Sequence, residues 1–399
     1  MTKTNTLVIL DELLEKIDGH NFEYSKSVKE VFEKNGNKVI VYGNRNVIDT
    51  IRNAIGAIPW FHFNPKPFYR KIPILGAVLY RLYFWTLFRQ QLKDCIAMQT
   101  TEAAETEIFI PNVYWYTLLP VSLAIRHIPF RTTILLRTSM TELLDVPPLF
   151  KPLVHQFCKM AQRICDHNKN IRLATDSEVI AEDWAAHYGG RMKVLPIPHL
   201  EEAIHSNIVS AGQKIRLYAP GVMRIEKGIK LLTEGFEILD EKYPELASRL
   251  ILITQFFGEK EKEELLIYKS RLEKLVHCTN EFGGSLSSEE YNHTIQQADI
   301  ILLPYCVNRG YRARTSGVMC EAMNACKPFI TTKNTWMEYQ STKYKTGLGV
   351  EDNHPEALAD AVVEMVARLD EYKKAAEQAA PEFAKFHSKD NFVRIFNSQ

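Results

Sequence analysis

Short β-branched runs alternate with longer stretches of helical periodicity along nearly the whole chain. Leu7–Leu10, the helical pattern Asn21–Asn35 and then Lys38–Tyr42 make a βαβ opening. Such alternation implies a parallel sheet covered on both faces. Glu107–Ile110, Thr132–Arg137, Ile171–Thr175 and Lys193–Leu195 are further strand candidates of this first domain. Pro196–Gln213 is rich in turn formers and polar residues and marks a boundary, after which the pattern starts again. Strands are expected at Arg216–Ala219, Arg249–Thr254, Ile300–Leu303 and Pro328–Thr331. Helices are expected at Lys227–Lys242, Lys260–Leu275, Ser288–Ala298, Gly317–Ala325 and from Pro355 onward. The expected division is 1–200, 201–375, and a tail 376–399 whose apolar edge of Phe392, Ile395 and Phe396 packs back on the first domain. Open α/β sheets bind ligands beyond the carboxyl ends of their strands, so two such domains put the default active site in the cleft between them.

The chain has 399 residues, enough for two cores, and a formal net charge of +1, so no global field favours nucleic acid. Its seven cysteines show neither Cys-x-x-Cys nor zinc-type spacing and read as reduced thiols of a cytoplasmic protein. Met1–Leu10 is too short, and too acidic in its continuation, for a signal peptide. The longest apolar stretch, Ile72–Phe88, is broken by Arg81 and falls short of the roughly 20 residues a membrane span needs.

Two motifs carry chemistry. The first runs Leu302-Leu303-Pro304-Tyr305, then Arg312, Arg314-Thr315-Ser316-Gly317, then Glu321-Ala322-Met323 and Lys327-Pro328. It reads as strand, polar loop and helix start. Small residues there expose backbone N–H groups and a helix dipole that suit a diphosphate, while Glu321, one turn in, suits paired sugar hydroxyls. Alternatively Ser316 caps the helix and Glu321 balances its dipole. The second motif, Gly221-Val222-Met223-Arg224-Ile225-Glu226-Lys227-Gly228, follows the strand Arg216–Ala219 and offers a guanidinium fork and an ammonium to an anion. Its alternative is a solvated basic loop.

In order and spacing these motifs, with Gly283-Gly284-Ser285-Leu286 and Ala298–Pro304 between them and Lys193–His199 near the boundary, resemble GT-B-fold glycosyltransferases, especially retaining glycosyltransferase family four. The resemblance covers the second domain well and the first only by pattern. It implies an α/β fold of two Rossmann-like doubly wound domains facing a cleft. The expected activity is transfer from a nucleotide-diphosphate sugar to a glycan or lipid-linked acceptor, with retention. No cofactor and no metal are expected. It assigns Arg224 and Lys227 to the donor diphosphate, Glu321 to the ribose, and Ser285 and Leu286 to the base. It also places the loop of Asp18, Gly19 and His20 by donor or acceptor. His20 is thereby a candidate to share a proton with an acceptor hydroxyl; the alternative is a cap or surface histidine.

Three positions depart from that family: Ala313 stands where a first acidic residue contacts the donor sugar, Cys326 replaces a glycine, and Leu136-Arg137-Thr138 replaces a histidine site. Arg137, Arg312 and Arg314 are therefore candidates for meeting a charged sugar, or else contact phosphate or the domain interface. Arg314, Thr315, Ser316 and Gly317 complete the candidate substrate-binding set.

From Ile51 to Lys93 no residue is acidic, and aromatic residues crowd the same stretch. Tyr80, Tyr83, Phe84, Leu87 and Phe88 fall on one helical stripe flanked by Arg81 and Arg89, which suits an anionic membrane surface through 66–93 or, alternatively, a core helix with snorkelling arginines. A peripheral position on the cytoplasmic face would accompany a lipid-linked acceptor. Two other functions use the same features: a sugar-nucleotide epimerase, which needs no acceptor, and a non-catalytic glycosyltransferase-like binding protein.

Overall fold

A strand that is apolar from end to end needs cover on both faces, and Thr6–Leu10 (β1), with Leu7, Val8, Ile9 and Leu10 all buried, is such a strand. In the computed structural model it is the third of seven strands. The structure describes residues 5–16, 20–62, 74–98, 106–141, 143, 146–198, 214–257, 262–307 and 310–398, with backbone alone at 20, 74–84, 262 and 288. Gly19, Asp18 and residues 63–73 lie outside the described residues, as do the side chains of His20, Tyr80, Arg81, Tyr83 and Phe84.

The chain forms two compact units, Met1–His199 with His387–Gln399, and Leu200–Phe386. The first contains β1 together with Lys38–Asn44 (β2), Ile58–Phe61 (β3), Thr106–Val113 (β4), Arg131–Leu136 (β5), Ile171–Thr175 (β6) and Lys193–Val194 (β7). All pair in parallel, in the order β3-β2-β1-β4-β5-β6-β7. Helix Lys389–Asn397 belongs to this unit. Ser388 caps it, and Phe396 meets Phe32 and Phe109 edge-on at ring distances of 5.3 and 5.4 Å. Such aromatic contacts add to the area that the rings bury. The transition to the first unit comes at His387, not 376. Helix Leu369–Phe386 is continuous and buries Ala376, Ala379, Ala380 and Phe383 in the second unit, where Phe383 packs on Tyr344.

The second unit contains Ile215–Val222 (β8), Leu250–Gln255 (β9), Thr279–Gly283 (β10), Ile300–Leu303 (β11), Phe329–Thr332 (β12) and Gly347–Val350 (β13), in the parallel order β10-β9-β8-β11-β12-β13. Leu217, Leu252, Ile300 and Leu302 form a core with Leu232, Phe236 and Leu239 of helix Ile229–Lys242 and Leu358 and Val362 of helix Pro355–Ala367. That first helix starts at Ile229 rather than at Lys227, because Gly228 takes the left-handed φ of 80° and separates the preceding turn from it. The strand order reverses direction between β8 and β11, which is the topological switch point of this sheet.

Helix Ile74–Ala97 is well formed, and in its described half Phe88 is fully buried against Phe61 while Trp85 donates to the Tyr116 carbonyl at 2.7 Å. That half is a core helix. Among the described residues no helix is long and apolar enough to cross a membrane. All seven cysteines are free, and burial pushes the thiols of Cys95, Cys158, Cys165 and Cys278 up to about 12.

Candidate active site in the second unit

The segments that leave β8 and β11 are what a ligand at the switch point would meet. β8 shifts register against β9 between Ala219 and Val222, and within that excursion Gly221 has φ 76°. A Cβ on Gly221 would stand 2.7 Å from Lys227 Nζ; on Gly228 it would stand 1.7 Å from the Pro304 carbonyl oxygen. Glycine at both positions folds the segment 221–228 back on itself and lets its end touch the chain just after β11.

Between these glycines Arg224 pairs with Glu226 at 2.7 Å. Lys227 is only 8 % exposed. Its Nζ donates to the Pro220 carbonyl at 3.2 Å and lies 5.8 Å from the centre of the Tyr305 ring. Burial, and then the nearby Arg224 guanidinium, lower its pKa to about 8, against the pull of Glu226 and Glu321. A buried ammonium so weakly compensated favours the arrival of an anion.

Beyond β11, Tyr305 packs against Tyr311 with ring planes tilted by 60° and centres 4.6 Å apart, and the Arg314 guanidinium lies 5.0 Å from the Tyr311 ring. Ala313 is fully buried, whereas Arg312 and Arg314 are exposed and Thr315 half-buried. Ser316 Oγ accepts from Met319 N at 3.2 Å and so caps helix Gly317–Asn324. The capping alternative therefore holds for Ser316, whose side chain serves the helix. Glu321 is exposed on the same helix and accepts from the Tyr291 hydroxyl at 2.8 Å. Burial, followed by the Glu321 charge, raises the Tyr291 pKa well above its usual value, so the hydroxyl keeps its proton and remains the donor. The Ser287 and Glu290 capping box that starts the Tyr291 helix is legible in the sequence, but its pairing with Glu321 is not.

Ser285 is exposed and Leu286 half-buried in the loop after β10. That loop is tied to the first motif through Gln255, another residue that pattern reading passes over: its Oε1 accepts from the Tyr218 hydroxyl and from Gly221 N, and its Nε2 donates to the Gly284 carbonyl.

Two first-unit candidates can be located. His20 opens helix His20–Lys34, with its side chain outside the description. Arg137 is committed inside its own unit: it is ion-paired with Asp176, donates to the Pro111 carbonyl at 3.1 Å and lies 4.9 Å from the centre of the Tyr24 ring. Burial is the largest single influence and opposes its charge, but the Asp176 carboxylate together with Tyr24, Tyr114 and Asp11 outweighs it and holds the Arg137 pKa above the usual value. Beside it the buried Asp11 accepts from Ser25 and Asn112. This placement favours a structural role for Arg137 over contact with a sugar. Among the described residues no group of three His, Cys, Asp or Glu is placed to hold a metal ion.

Residues 201–382 match the family described as glycosyl transferases group 1. The second unit is a group 1 glycosyltransferase domain, and the chain a glycosyltransferase. Comparison with curated proteins finds none that matches. Among solved structures, the N-terminal domain of Candida albicans trehalose-6-phosphate phosphatase is similar, with a TM-score of 0.68 at 12% identity over 99% of this chain and 96% of that one. A glycosyltransferase from Rickettsia africae gives 0.65 at 14% identity over 100% of both chains. Anabaena HepE in complex with UDP gives 0.65 at 12% identity over 98% of both. At such identities the likeness is one of fold, and that fold is GT-B, with an α/β unit built on each of two parallel sheets.

Proposed function

We propose that this glycosyltransferase draws its sugar from a nucleoside diphosphate bound at the β8/β11 switch point and passes it, with retention and without metal, to a glycan or lipid-linked acceptor. The observation that carries this reading is Lys227, a buried cation beside Arg224 and weakly compensated by its own surroundings. Arg224, Lys227 and the Gly317 helix start neutralise the diphosphate, and Glu321, oriented by Tyr291, accepts from the ribose hydroxyls. The bond between the anomeric carbon and the phosphate oxygen breaks as that carbon bonds the acceptor oxygen on the same face. The acceptor proton passes to the departing phosphate, giving a nucleoside diphosphate and the glycoside. HepE, whose structures hold UDP and UDP-glucose, supports a uridine donor as the first to try.

A thermal-shift panel of UDP, GDP, ADP, TDP and CMP sugars tests the site, since a ligand that binds only the folded state raises stability by about 2.7 kcal/mol at a hundredfold excess over Kd. No shift with any of them refutes it. Incubation of donor with and without acceptor separates transfer from epimerisation, the anomeric proton of the product reports stereochemistry, and activity in excess chelator tests independence of metal.

A lipid-linked acceptor is favoured by the outer face of helix Lys151–His167 and the turn before it. Leu149 is 83 % exposed and Leu153 and Met160 about half exposed, beside the exposed cations Lys159 and Arg163. Apolar side chains flanked by basic ones suit an anionic lipid surface. Anionic vesicles should co-sediment the protein, and Leu149→Ser with Leu153→Ser should release it; equal pelleting of the variant refutes this part.

A further inference from the structure

We propose that Gln255 is a positioning residue that couples the two halves of the donor site, holding the turn for the diphosphate and the loop for the base at a fixed separation. The inference rests on the donor reading above and adds to it a residue in neither motif.

Gln255 ends β9, the strand that lies between β8 and β10. Beyond this point the sheet opens. On one side β8 bulges: Pro220 has no N–H, and Gly221 N is turned out of the ladder between Ala219 and Val222. On the other side β10 ends at Gly283, leaving the Gly284 carbonyl without a strand to meet. One side chain closes both openings. Gln255 Oε1 accepts from Gly221 N at 2.7 Å and from the Tyr218 hydroxyl at 2.8 Å, while Nε2 donates to the Gly284 carbonyl at 3.2 Å. The backbone of Gln255 continues the pattern, accepting from Met223 N at 2.8 Å.

Gln255 is 2 % exposed and is too deep to be a ligand contact itself. Its partners are the ones that matter for placement. Gly221 is the residue whose missing Cβ makes room for Lys227 Nζ, and Gly284 precedes Ser285 and Leu286. An amide is the side chain that suits this position, because the two sides ask for an acceptor and a donor at the same depth. A methionine of similar length fills the space and offers neither. Without the amide the turn and the loop each persist, but their spacing is no longer set. A ligand that spans both then loses affinity, whereas one that touches only the turn does not.

The test compares UDP, which spans, with inorganic pyrophosphate, which does not, by calorimetry on the full chain and on Gln255→Met. The far-ultraviolet circular dichroism and the cooperativity of melting are checked first. If Gln255→Met does not fold, Gln255→Asn, which keeps the amide on a side chain one methylene too short to reach both sides, takes its place. The expected result is a Kd for UDP raised about tenfold or more, with the Kd for pyrophosphate changed by less than about threefold. Equal weakening of the two ligands, or none, overturns the coupling role while leaving the donor site standing. A wild-type chain that binds neither ligand overturns the donor reading and this one with it. Lys227→Met, measured alongside, weakens both ligands if the donor reading holds.

Discussion

Replacing Lys227 by methionine should make the ligand-free protein more stable and the donor site useless. The lysine pKa falls from 10.5 to about 8 on folding, mainly because the ammonium is buried. At about 1.4 kcal/mol per unit, that shift costs about 3 kcal/mol while the side chain is charged. Methionine removes the charge, retains a flexible apolar stem over Tyr305, and gives up the hydrogen bond to the Pro220 carbonyl, worth about 1 kcal/mol. The net expectation is a gain of about 2 kcal/mol at neutral pH. For a unit the size of Leu200–Phe386 this raises the melting temperature by about 4–8 °C. In the same variant, loss of one partner from a desolvated charge pair weakens UDP binding by at least about thirtyfold, so the thermal shift by UDP disappears. The assay is melting with and without UDP at pH 7. A variant that melts below the wild type when empty, or that keeps its UDP shift, refutes the view of Lys227 as a buried cation kept for an anion.

Three further outcomes follow from the same geometry. Gly228→Ala forces a Cβ to within 1.7 Å of the Pro304 oxygen at a φ of 80° and should cost at least about 2 kcal/mol, against about 1 for Gly56→Ala, which has φ 65° and nothing within 4 Å; denaturant midpoints compare them. The pH dependence should have opposite signs for folding and binding. Lys227 and Lys327 are both held near 8 against 10.5 unfolded, so the unfolded chain binds more protons between pH 8 and 10.5, and their burial penalty, full below pH 8, is relieved as pH rises through that window. If UDP binds through the Lys227 ammonium as proposed, it should bind progressively less above pH 8, by up to about tenfold per unit; a flat calorimetric titration from pH 7 to 9.5 would contradict this. Tyr291→Phe keeps the ring against Tyr218 but removes the donor to Glu321, and should weaken UDP binding about threefold, with no further loss when combined with Glu321→Ala.

Interior strands were legible because double cover makes them largely apolar: Ile300–Leu303, apolar throughout, and Ile171–Thr175, interrupted by Arg172, both appear with the limits expected of them. The strands that sequence reading missed are edges. β3 contains Pro59, β10 reads Thr-Asn-Glu-Phe-Gly and β13 is half glycine, and each needs apolar character on less of its surface. The site shows a similar split. Arg224, Lys227, Ser316 and Glu321 lie in contiguous motifs that announce their turns and caps, whereas Gln255 acts across strands and Tyr291 from one helix to another, contacts visible only once the fold has brought those elements together. Arg137 follows the strand expected of it, but Asp176, which pairs with its guanidinium, lies 39 residues on, just past the same end of the neighbouring parallel strand, and leaves no local signal. Cys326, noted as a departure from glycine, adopts φ 57°, and the bonds Lys327 N to Ala322 O and Cys326 N to Met323 O close the helix end; the left-handed geometry has been kept without the residue that adopts it most easily.

Because Phe392 and Phe396 lie in the core of the first unit, that core includes residues synthesised after the whole of the second. On the ribosome the second unit can therefore finish first, while the β1 sheet waits with Phe109 and Phe32 uncovered until the last helix emerges. Birth order and folding order are reversed, and a premature stop between Phe386 and Phe392 would release a chain with an intact second unit and an exposed aromatic core, a substrate for chaperones and proteases before it could be an enzyme.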